Sequence, residues 1–398
     1  MRVLWLATMF PTELNWLAGP WNVRGLMALR DHEGQEVRVV CPIGMTPPGR
    51  FARGFPFNLG EIRKWRHKRQ ELPLAGEVKG IPVTYPRWSW GPKRLFWGYE
   101  GWLMYRQLRR HLADIVATYR PDVIHTPWLA PEGVAASLMG QEHGIPVVVQ
   151  GIGNDANYYL ASYPGRDYVI HQIRKAPALL FNCQSTMRMA AEVGLTHRNT
   201  VIIYHGVEVD LFKPDPDRQG NGRKIITVAQ LIPRKNHQLL LHAFTRLPEA
   251  LRSTASLEFV GGGASRPELE KLAVALGLKN KVHFAGQPSH AELVKCLQSA
   301  HLYCLPTLSE GMPVAIIEAM ACGLPIVASK VDGIPESVRE PDCGILVPPQ
   351  DLDALAAALA DALTRDWDRA AIRQRVLDNF TWQLYAKNVS DLYVSLQS

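Results

Sequence analysis

Short apolar segments alternate with longer amphipathic segments along most of the chain. In the first half, the apolar segments predict strands at 2–8, 36–41, 123–125, 147–149, 178–182 and 201–203. The amphipathic segments predict helices at 22–31, 98–118 and 132–142. Strands and helices that alternate in this way are typical of a parallel sheet covered by helices.

The alternation starts again after 212–223, a segment rich in Pro, Asp and Gly that we interpret as a linker. Strands are predicted at 224–228, 257–260, 282–284, 302–305, 326–329 and 344–347. Helices are predicted at 236–247, 266–276, 289–299, 313–322 and 351–364. The fold class predicted is therefore α/β, with two units of similar size at 1–205 and 206–380.

The last segment, 381–396, is amphipathic and predicts a helix with one apolar stripe. The residues of the stripe are Trp382, Tyr385, Val389, Leu392 and Leu396. This helix could complete the second unit or return to the first. We expect the C-terminal helix, at 381–398, to pack on the first unit.

A chain of 398 residues, of which 47% are hydrophobic and 20% charged, is long enough for two domains with sizeable cores. The sequence has no uninterrupted apolar run of about 18 residues, so no transmembrane helix is expected. The apolar start ends at Pro11 without a small-residue cleavage site and predicts a strand, not a signal peptide. Six widely spaced cysteines favour reduced thiols in a cytoplasmic protein and predict no metal site.

The formal net charge of +7 is concentrated at 50–110, where fourteen Lys or Arg stand against four Glu. Five tryptophans lie in the same stretch, namely Trp65, Trp88, Trp90, Trp97 and Trp102. Basic residues among aromatic ones suit an anionic membrane surface or a nucleic acid, and a solvated face beside core aromatics is the alternative. Because no recognisable RNA- or DNA-binding module accompanies the charge, we do not expect a nucleic acid as partner.

The strand, loop and helix predicted over 302–325 carry two carboxylates. Glu310 lies just before the helix, and Glu318 lies eight residues later, on its second turn. Carboxylates accept hydrogen bonds from vicinal sugar hydroxyls, so this spacing can hold a ribose and a second sugar around one pyrophosphate. The alternative is a surface helix with two solvated glutamates.

The backbone of the same loop suits an anion. Pro313 fits the first helical turn because its missing N–H would be unpaired there anyway. The amides of Gly311, Met312 and Val314 could then face an anion at the positive end of the helix.

Two more loops follow predicted strands of the second unit. Arg234 and Lys235 follow the strand at 224–228, where two adjacent cations could neutralise a diphosphate leaving group. Gly261, Gly262 and Gly263 follow the strand at 257–260, and glycines there let a backbone approach phosphates. A plain tight turn is the alternative for the glycines.

Taken in order, these segments resemble retaining glycosyltransferases of the GT-B fold, in the large family four of group 1 type. The resemblance rests on 225–236, 259–263, 282–286, 309–325, 331–336 and 344–351, and in the first unit on the opening strand with Gly19, 120–125 and 207–214. The E-x7-E pattern within 309–325 is its most specific part. The arrangement is similar to that of teichuronic-acid and exopolysaccharide transferases.

The resemblance implies two Rossmann-like doubly wound parallel-sheet domains facing a central crevice, with a nucleotide-diphosphate sugar on the second and a UDP-sugar favoured. Glu318 would hold the ribose and Glu310 the transferred sugar. Lys235, with Arg234, would contact the diphosphate, and Gly262 and the amides at 311–314 would complete the donor site. Glu310 and Lys235 would be the catalytic residues. Retention would follow front-face attack without an enzymic nucleophile, a metal or another cofactor.

On the first domain, the resemblance implies an acceptor side that includes Gly19, Pro20, His125 and Asp155. The acceptor would be a glycan or a lipid-linked molecule in cell-surface polysaccharide synthesis. We expect the basic stretch at 50–110 to bring a cytoplasmic protein to the anionic inner face of the membrane. Each Lys or Arg near such a leaflet contributes on the order of 1 kcal/mol, and tryptophans prefer the interface.

Three alternatives remain. Many relatives carry other residues where Gln230, Pro127 and Ile152 stand, so a nucleotide-sugar-binding protein without catalysis is one alternative. A GDP-mannose-dependent mannosyltransferase is the second. A Rossmann dehydrogenase is disfavoured because no G-x-G-x-x-G follows the first strand.

Overall fold

The computed structural model divides into two compact units. The first comprises Met1–His205 and Trp382–Ser398, and the second comprises Gly206–Thr381. The structure describes residues 1–12, 15, 18–45, 59–89, 98–153, 155–161, 165–216 and 223–397.

The first unit is built on one large sheet. The strands of the unit are β1 Arg2–Leu6, β2 Glu36–Val40, β3 Ile43–Gly44, β4 Ala75–Val78, β5 Ile81–Thr84, β6 Arg87–Trp88, β7 Val123–Thr126, β8 Val147–Gly151, β9 Ala178–Phe181 and β10 Thr200–Ile202. The order in the sheet is β10-β9-β8-β7-β1-β2-β5-β4, and all of its pairs are parallel except β4–β5. β3 and β6 form a separate parallel pair. The central strand β1 is buried along nearly its whole length, as a sheet covered by helices on both faces requires.

Helices lie between these strands. They are α1 Pro20–Glu33, α2 Leu59–Gln70, α3 Glu100–Tyr119, α4 Val134–His143, α5 Arg166–Ile173 and α6 Gln184–Glu192. Irregular turns at Leu129–Gly133 and Asp155–Leu160 follow β7 and β8. α1 begins at Pro20, whose ring presets the first helical φ, and is capped by Gly34 in the left-handed conformation.

The second unit has a six-stranded sheet in which every pair is parallel. Its strands are β11 Arg223–Val228, β12 Ala255–Val260, β13 Val282–Gly286, β14 Leu302–Leu305, β15 Ile326–Ser329 and β16 Gly344–Val347, in the order β13-β12-β11-β14-β15-β16. Its helices are α7 His237–Thr245, α8 Glu249–Arg252, α9 Arg266–Ala275, α10 His290–Ser299, α11 Val314–Ala321, α12 Ile334–Ser337, α13 Leu352–Thr364 and α14 Arg369–Asn379. The chain order reverses between β11 and β14, the place where doubly wound sheets bind ligands at the carboxyl ends of their strands.

The last helix, α15 Trp382–Ser395, belongs to the first unit and packs against α1. Four residues of the predicted stripe are buried in the core of that unit, and Leu396 packs partly buried against it. The approach is close, because a Cβ at Gly25 of α1 would stand 3.0 Å from the ring of Tyr385.

A buried chain of polar side chains ties α15 to the sheet. The Tyr393 hydroxyl lies 2.6 Å from Nδ1 of His125, and Nε2 of His125 lies 3.2 Å from the amide oxygen of Gln150. The Gln150 amide nitrogen lies 3.0 Å from Nε2 of His205. The Gln150 amide nitrogen only donates, so Nε2 of His205 accepts and carries no proton. The Gln150 amide oxygen only accepts, so Nε2 of His125 donates, and a neutral His125 then accepts from the Tyr393 hydroxyl at Nδ1. Burial lowers the pKa of His125 to about 3 and that of His205 to about 4.

Every strand and helix predicted from the sequence is present, with ends that differ by at most two residues. The structure also contains β3–β6, α2, α5, α6, α8, α12 and α14, which the apolar pattern did not indicate. β4 is largely exposed, and α14 buries only Ile372 and Val376, so these elements leave little hydrophobic periodicity to detect.

The segment at 212–223 does not mark the boundary between the units, which falls between His205 and Gly206. Its first residue, Phe212, is fully buried in the second unit, and the Phe212 carbonyl accepts a hydrogen bond from Arg373. Residues 217–222 lie outside the described part of the chain.

We expect acid to destabilise the first unit through its buried histidines. Below pH 6.5 His125 and His205 take up protons in the unfolded chain but not in the folded one, so stability falls towards about pH 4, by about 1.4 kcal/mol per pH unit for each histidine. Glu132 and Asp155, whose pKa values burial raises, act in the opposite direction. Urea unfolding between pH 4 and 7 should therefore give a shallower loss of stability for His205→Gln than for the unaltered protein. Equal slopes would contradict this role for His205.

Candidate functional site

The loops that follow β11 and β14 are joined by hydrogen bonds at the carboxyl edge of the second sheet. The Arg234 guanidinium donates to the Ser309 carbonyl at 2.7 Å. The Arg234 carbonyl in turn accepts from the amide of Leu308 at 2.9 Å and from the hydroxyl of Thr307 at 3.2 Å. The predicted cationic loop and the predicted carboxylate loop are therefore one connected structure.

Lys235 and Glu310 form an ion pair within this structure. Their side chains are only 13% and 11% exposed, which makes this a largely buried pair. Burial, together with the neighbouring charge of Arg234, lowers the pKa of Lys235 to about 8. The pair brings together the two residues to which the family resemblance gives catalytic roles.

Asp332, which the sequence analysis did not single out, positions Glu310. Its Oδ2 accepts from the Glu310 amide and from the Ser309 hydroxyl, each at 2.7 Å. Asp332 adopts a left-handed conformation, with φ of 47°, just after β15. Burial raises the pKa of its carboxyl group, while the Ser309 hydrogen bond and the charge of Arg234 oppose the shift. Its position after a strand of the same sheet was the signal that could have identified it.

Helix α11 starts at this edge with several amides that have no acceptor in the described structure. Gly311, Met312 and Val314 precede or begin the helix, and their N–H groups donate no hydrogen bond to any described residue. Pro313 was predicted in the first helical turn, but it is the residue just before the helix. Glu318 lies on the second turn and is 7% exposed, so the alternative of two solvated glutamates on a surface helix is wrong.

The glycines after β12 serve the packing of two loops. A Cβ at Gly261 would stand 2.0 Å from the carbonyl oxygen of Ala229, and one at Gly263 would stand 2.2 Å from that of Leu231. The Gly262 carbonyl accepts from the Leu231 amide at 2.9 Å. The glycines therefore let the loops after β11 and β12 approach each other closely. A contact between Gly262 and a phosphate stays a prediction.

His237, the first residue of α7, is a second residue that the sequence analysis missed. Its side chain is buried with the ring edge-on to Phe259, and neither ring nitrogen has a hydrogen-bond partner among the described residues. Burial and the charge of Lys235 lower its pKa to about 4. A neutral imidazole therefore lies beside the cationic loop.

In the first unit, the predicted acceptor residues Gly19 and Pro20 lie at the start of α1. Gly19 has φ of 59°, and a Cβ there would stand 2.2 Å from the Met9 carbonyl oxygen. The Asn22 side chain donates to the same carbonyl at 2.7 Å. Gly19 is thus required where the chain after β1 passes close to the start of the helix.

His125 does not lie on an accessible surface. It is fully buried, and both of its ring nitrogens are engaged by Tyr393 and Gln150. Its predicted place on the acceptor side is therefore corrected to a place in the core, where it supports α15.

Asp155 is also buried, and its carboxylate holds two loops of the first sheet. It accepts from the amides of Leu129, Ile152 and Gly153 at 3.2, 3.1 and 2.9 Å, which joins the segments after β7 and β8. Burial raises its pKa to about 6 against the effect of these hydrogen bonds. Asp155 thus shapes the predicted acceptor side without an exposed carboxylate.

Glu132, which the sequence did not indicate, joins the loops after β1 and β7, as Asp155 joins those after β7 and β8. One carboxylate oxygen accepts from the Thr8 amide at 3.0 Å and from the Thr8 hydroxyl at 2.6 Å. These bonds join the segments after β1 and β7, where the strand order of the first sheet reverses. Burial raises the pKa of Glu132, with the charge of Asp155 adding to the effect and the bonds from Thr8 opposing it.

The basic stretch is described at 59–89 and 98–110, and two of its tryptophans, Trp90 and Trp97, lie outside the described residues. α2 presents four exposed cations, Arg63, Lys64, Arg66 and Lys68. Trp88 is buried in the core, whereas Trp65 is half-buried beneath the guanidinium of Arg69 at 4.0 Å. The stretch therefore combines a buried core tryptophan with a strongly basic helix.

Within the described residues, no helix is long and apolar enough to cross a membrane. No group of three or more His, Cys, Asp or Glu in the described part of the chain is arranged to hold a metal ion. The six cysteines all lie within the described residues, and no disulfide joins any two of them.

Two family models match the chain, one on each unit. The model of a glycosyl transferase 4-like domain matches residues 20–206, and that of glycosyl transferases group 1 matches residues 209–377. Together they span nearly the whole sequence.

Curated relatives and solved structures agree with these models. The chain is 23% identical over 92% of its length to a putative teichuronic acid biosynthesis glycosyltransferase, TuaC of Bacillus subtilis, and covers 89% of that protein. It is 30% identical over 47% of its length to a GDP-mannose-dependent alpha-(1-6)-phosphatidylinositol monomannoside mannosyltransferase of Mycolicibacterium smegmatis, of which it spans 54%, about half. The structure of Anabaena HepE in complex with UDP superposes with a TM-score of 0.73, at 18% identity, over 99% of this chain and 100% of that one.

The fold comparison and the two parallel-sheet units confirm the predicted GT-B fold class. With a matching domain model on each unit and a relative that aligns over nearly the whole length, the chain belongs to the group 1 glycosyltransferases.

Proposed function

We propose that the protein transfers a hexose-type sugar, with retention of configuration, from a nucleotide-diphosphate sugar to a glycan or lipid-linked acceptor in cell-surface polysaccharide synthesis. The observation that supports this most is the buried Lys235–Glu310 pair beside the unbonded amides that begin α11. A cation, a fixed carboxylate and a helix N-terminus at one sheet edge suit a diphosphate and its attached sugar.

In the proposed reaction, the bond between the sugar C1 and the leaving diphosphate oxygen breaks while the acceptor oxygen bonds to C1 from the same face. The acceptor proton passes to the leaving diphosphate, so the chain supplies no nucleophile. Lys235, with Arg234, would offset the charge that develops on the diphosphate, and Glu310 would accept hydrogen bonds from the sugar hydroxyls. Glu318 would bind the ribose. We propose that no metal or other cofactor takes part.

Two donor bases have support. We favour a UDP-sugar, in line with the fold that this chain shares with the UDP complex of HepE. A GDP-mannose donor is the second candidate, because a relative that is 30% identical over part of the chain is named as GDP-mannose-dependent. A protein that binds the nucleotide-sugar without transferring the sugar is the alternative that the departures at Gln230, Pro127 and Ile152 motivate.

The acceptor side of the proposal combines the loops that Glu132 and Asp155 hold with the basic helix α2. A lipid-linked acceptor would lie at an anionic membrane surface, to which exposed Lys and Arg side chains are attracted. The named relative in teichuronic acid biosynthesis supports a cell-surface polymer as the product.

A thermal-shift panel of UDP, GDP and ADP with their sugar derivatives tests the proposed function. One nucleoside diphosphate and its sugar should raise the melting temperature, because a ligand that binds only the folded state stabilises it. If the protein is a transferase, it should also release the nucleoside diphosphate from the donor that stabilises it. Tight binding without any release across the panel would favour the non-catalytic alternative, and no binding at all would contradict the proposal.

The two carboxylates of α11 and its loop should differ in their kinetic roles. Glu318→Ala should weaken binding of the nucleotide itself, by about tenfold for the loss of a hydrogen-bonded charged group. Glu310→Ala should lower turnover more than donor affinity, because the carboxylate acts on the sugar. Steady-state kinetics with nucleotide titrations separate these effects, and unchanged kinetics in both variants would refute the assignment.

Vesicle sedimentation tests the membrane contact. At low salt, the protein should sediment with anionic vesicles but not with neutral ones. Exchanging two exposed lysines of α2, in Lys64→Gln with Lys68→Gln, should weaken this binding by about 2 kcal/mol, at on the order of 1 kcal/mol for each cation. The matched control changes two exposed lysines of the second unit, Lys271→Gln with Lys279→Gln, and should bind as before. Absence of binding to anionic vesicles would rule out the contact.

A further inference from the structure

The Lys235–Glu310 pair joins two groups that the proposed function assigns to different parts of one donor. Lys235 would meet the diphosphate, and Glu310 would meet the sugar. In this structure the two side chains neutralise each other in a largely buried place. Any anion that binds Lys235 therefore enters beside a carboxylate that already holds the same ammonium group.

The Glu310 carboxylate stays close to Lys235 whatever else binds there, because the backbone of its loop is fixed at three points. The Glu310 amide donates to Asp332, and the Ser309 hydroxyl donates to the same carboxylate. The Ser309 carbonyl accepts from Arg234, which is the neighbour of Lys235 in the chain. A phosphate at Lys235 and the carboxylate of Glu310 would therefore share one cation at short range.

The sharing of Lys235 between a phosphate and Glu310 has different consequences for the intact nucleotide-sugar and for the nucleoside diphosphate that remains after transfer. In the intact donor, the terminal phosphate is esterified, and the sugar hydroxyls can donate to Glu310, so the carboxylate keeps partners. The nucleoside diphosphate carries one more ionisable oxygen on its terminal phosphate and has no sugar hydroxyls to offer. Its phosphate then repels Glu310 in a site of low exposure, where like charges cost more than in water.

We propose that Glu310 is a specificity-determining residue that favours the intact nucleotide-sugar over the nucleoside diphosphate product, by competing with the product's terminal phosphate for Lys235. This inference rests on the proposed function and adds to it a route for product release. When the sugar has left, Glu310 pairs with Lys235 again and lowers the affinity of the site for the nucleoside diphosphate.

Two simpler roles predict other results. If Glu310 only binds sugar, its loss leaves affinity for the nucleoside diphosphate unchanged. If Glu310 only supports the fold of the loop, its loss weakens binding of both ligands. Competition alone predicts tighter binding of the diphosphate when the carboxylate is neutralised.

The test is isothermal titration of UDP and of GDP into the unaltered protein and into Glu310→Gln. For the diphosphate that the unaltered protein binds, we expect affinity to rise on the order of tenfold, in the range measured for close buried charge pairs. UMP and GMP, which lack the terminal phosphate, should bind both proteins alike. Added diphosphate should also raise the melting temperature of Glu310→Gln more than that of the unaltered protein, because the phosphate supplies the anion that Lys235 has lost.

A matched control comes from a second partly buried Lys–Glu pair of the same unit. Lys224 contacts Glu258 at 3.1 Å, at the amino end of β11 and therefore at the opposite edge of the sheet. Glu258→Gln removes a comparable charge and should leave affinity for the diphosphate unchanged. If Glu310→Gln does not fold, Glu310→Asp draws the carboxylate back from Lys235 and should tighten diphosphate binding by about threefold.

The outcomes separate the inference from the function on which it rests. Equal or weaker diphosphate binding by the Glu310 variants, with normal binding by the unaltered protein, overturns the inference and leaves the proposed function in place. Tighter binding of UMP or GMP as well would also overturn it, because the effect would not depend on the terminal phosphate. If the unaltered protein binds neither UDP nor GDP, the proposed function fails and the inference fails with it.

Discussion

A parallel sheet covered by helices on both faces has little room for charge except near the ends of its strands, and this constraint limits where chemistry can occur in both units. The central strands of each sheet are largely buried. The loops that leave their carboxyl ends must then satisfy their own backbone groups while they carry the polar residues. Lys235 and Glu310 in the second unit, and Glu132 and Asp155 in the first, all lie in such loops.

The carboxylates at these edges divide into two kinds. Asp332, Asp155 and Glu132 accept hydrogen bonds from backbone amides and so fix the shape of loops. Glu310 instead faces a cation. The first kind gives a loop a defined geometry, since each carboxylate oxygen can bind more than one amide. The second kind neutralises a charge, and the proposed competition at Lys235 requires Glu310 to change partners while the backbone of its loop stays fixed.

The sequence predicts the sheets and the long helices well, because buried strands and amphipathic helices leave distinct hydrophobic periods. It also predicts that Glu310 and Lys235 belong to the donor site, because both lie in loops that follow predicted strands. It does not predict that they pair, since that depends on β11 and β14 being neighbours in space although they lie far apart in the chain. Asp332 and Glu132 were missed for the same reason. His125 was misplaced because a polar residue in a short strand gives no sign of which face it occupies or what covers it.

The return of α15 makes the first unit discontinuous in the chain. Its sheet is complete by His205, yet part of its core, with the partner of His125, is supplied by residues that are synthesised after the whole second unit. The second unit is contiguous and can fold as soon as it has emerged from the ribosome. The first unit must wait with an uncovered apolar face beside α1. The order of synthesis and the order in which the two domains can become complete are therefore reversed.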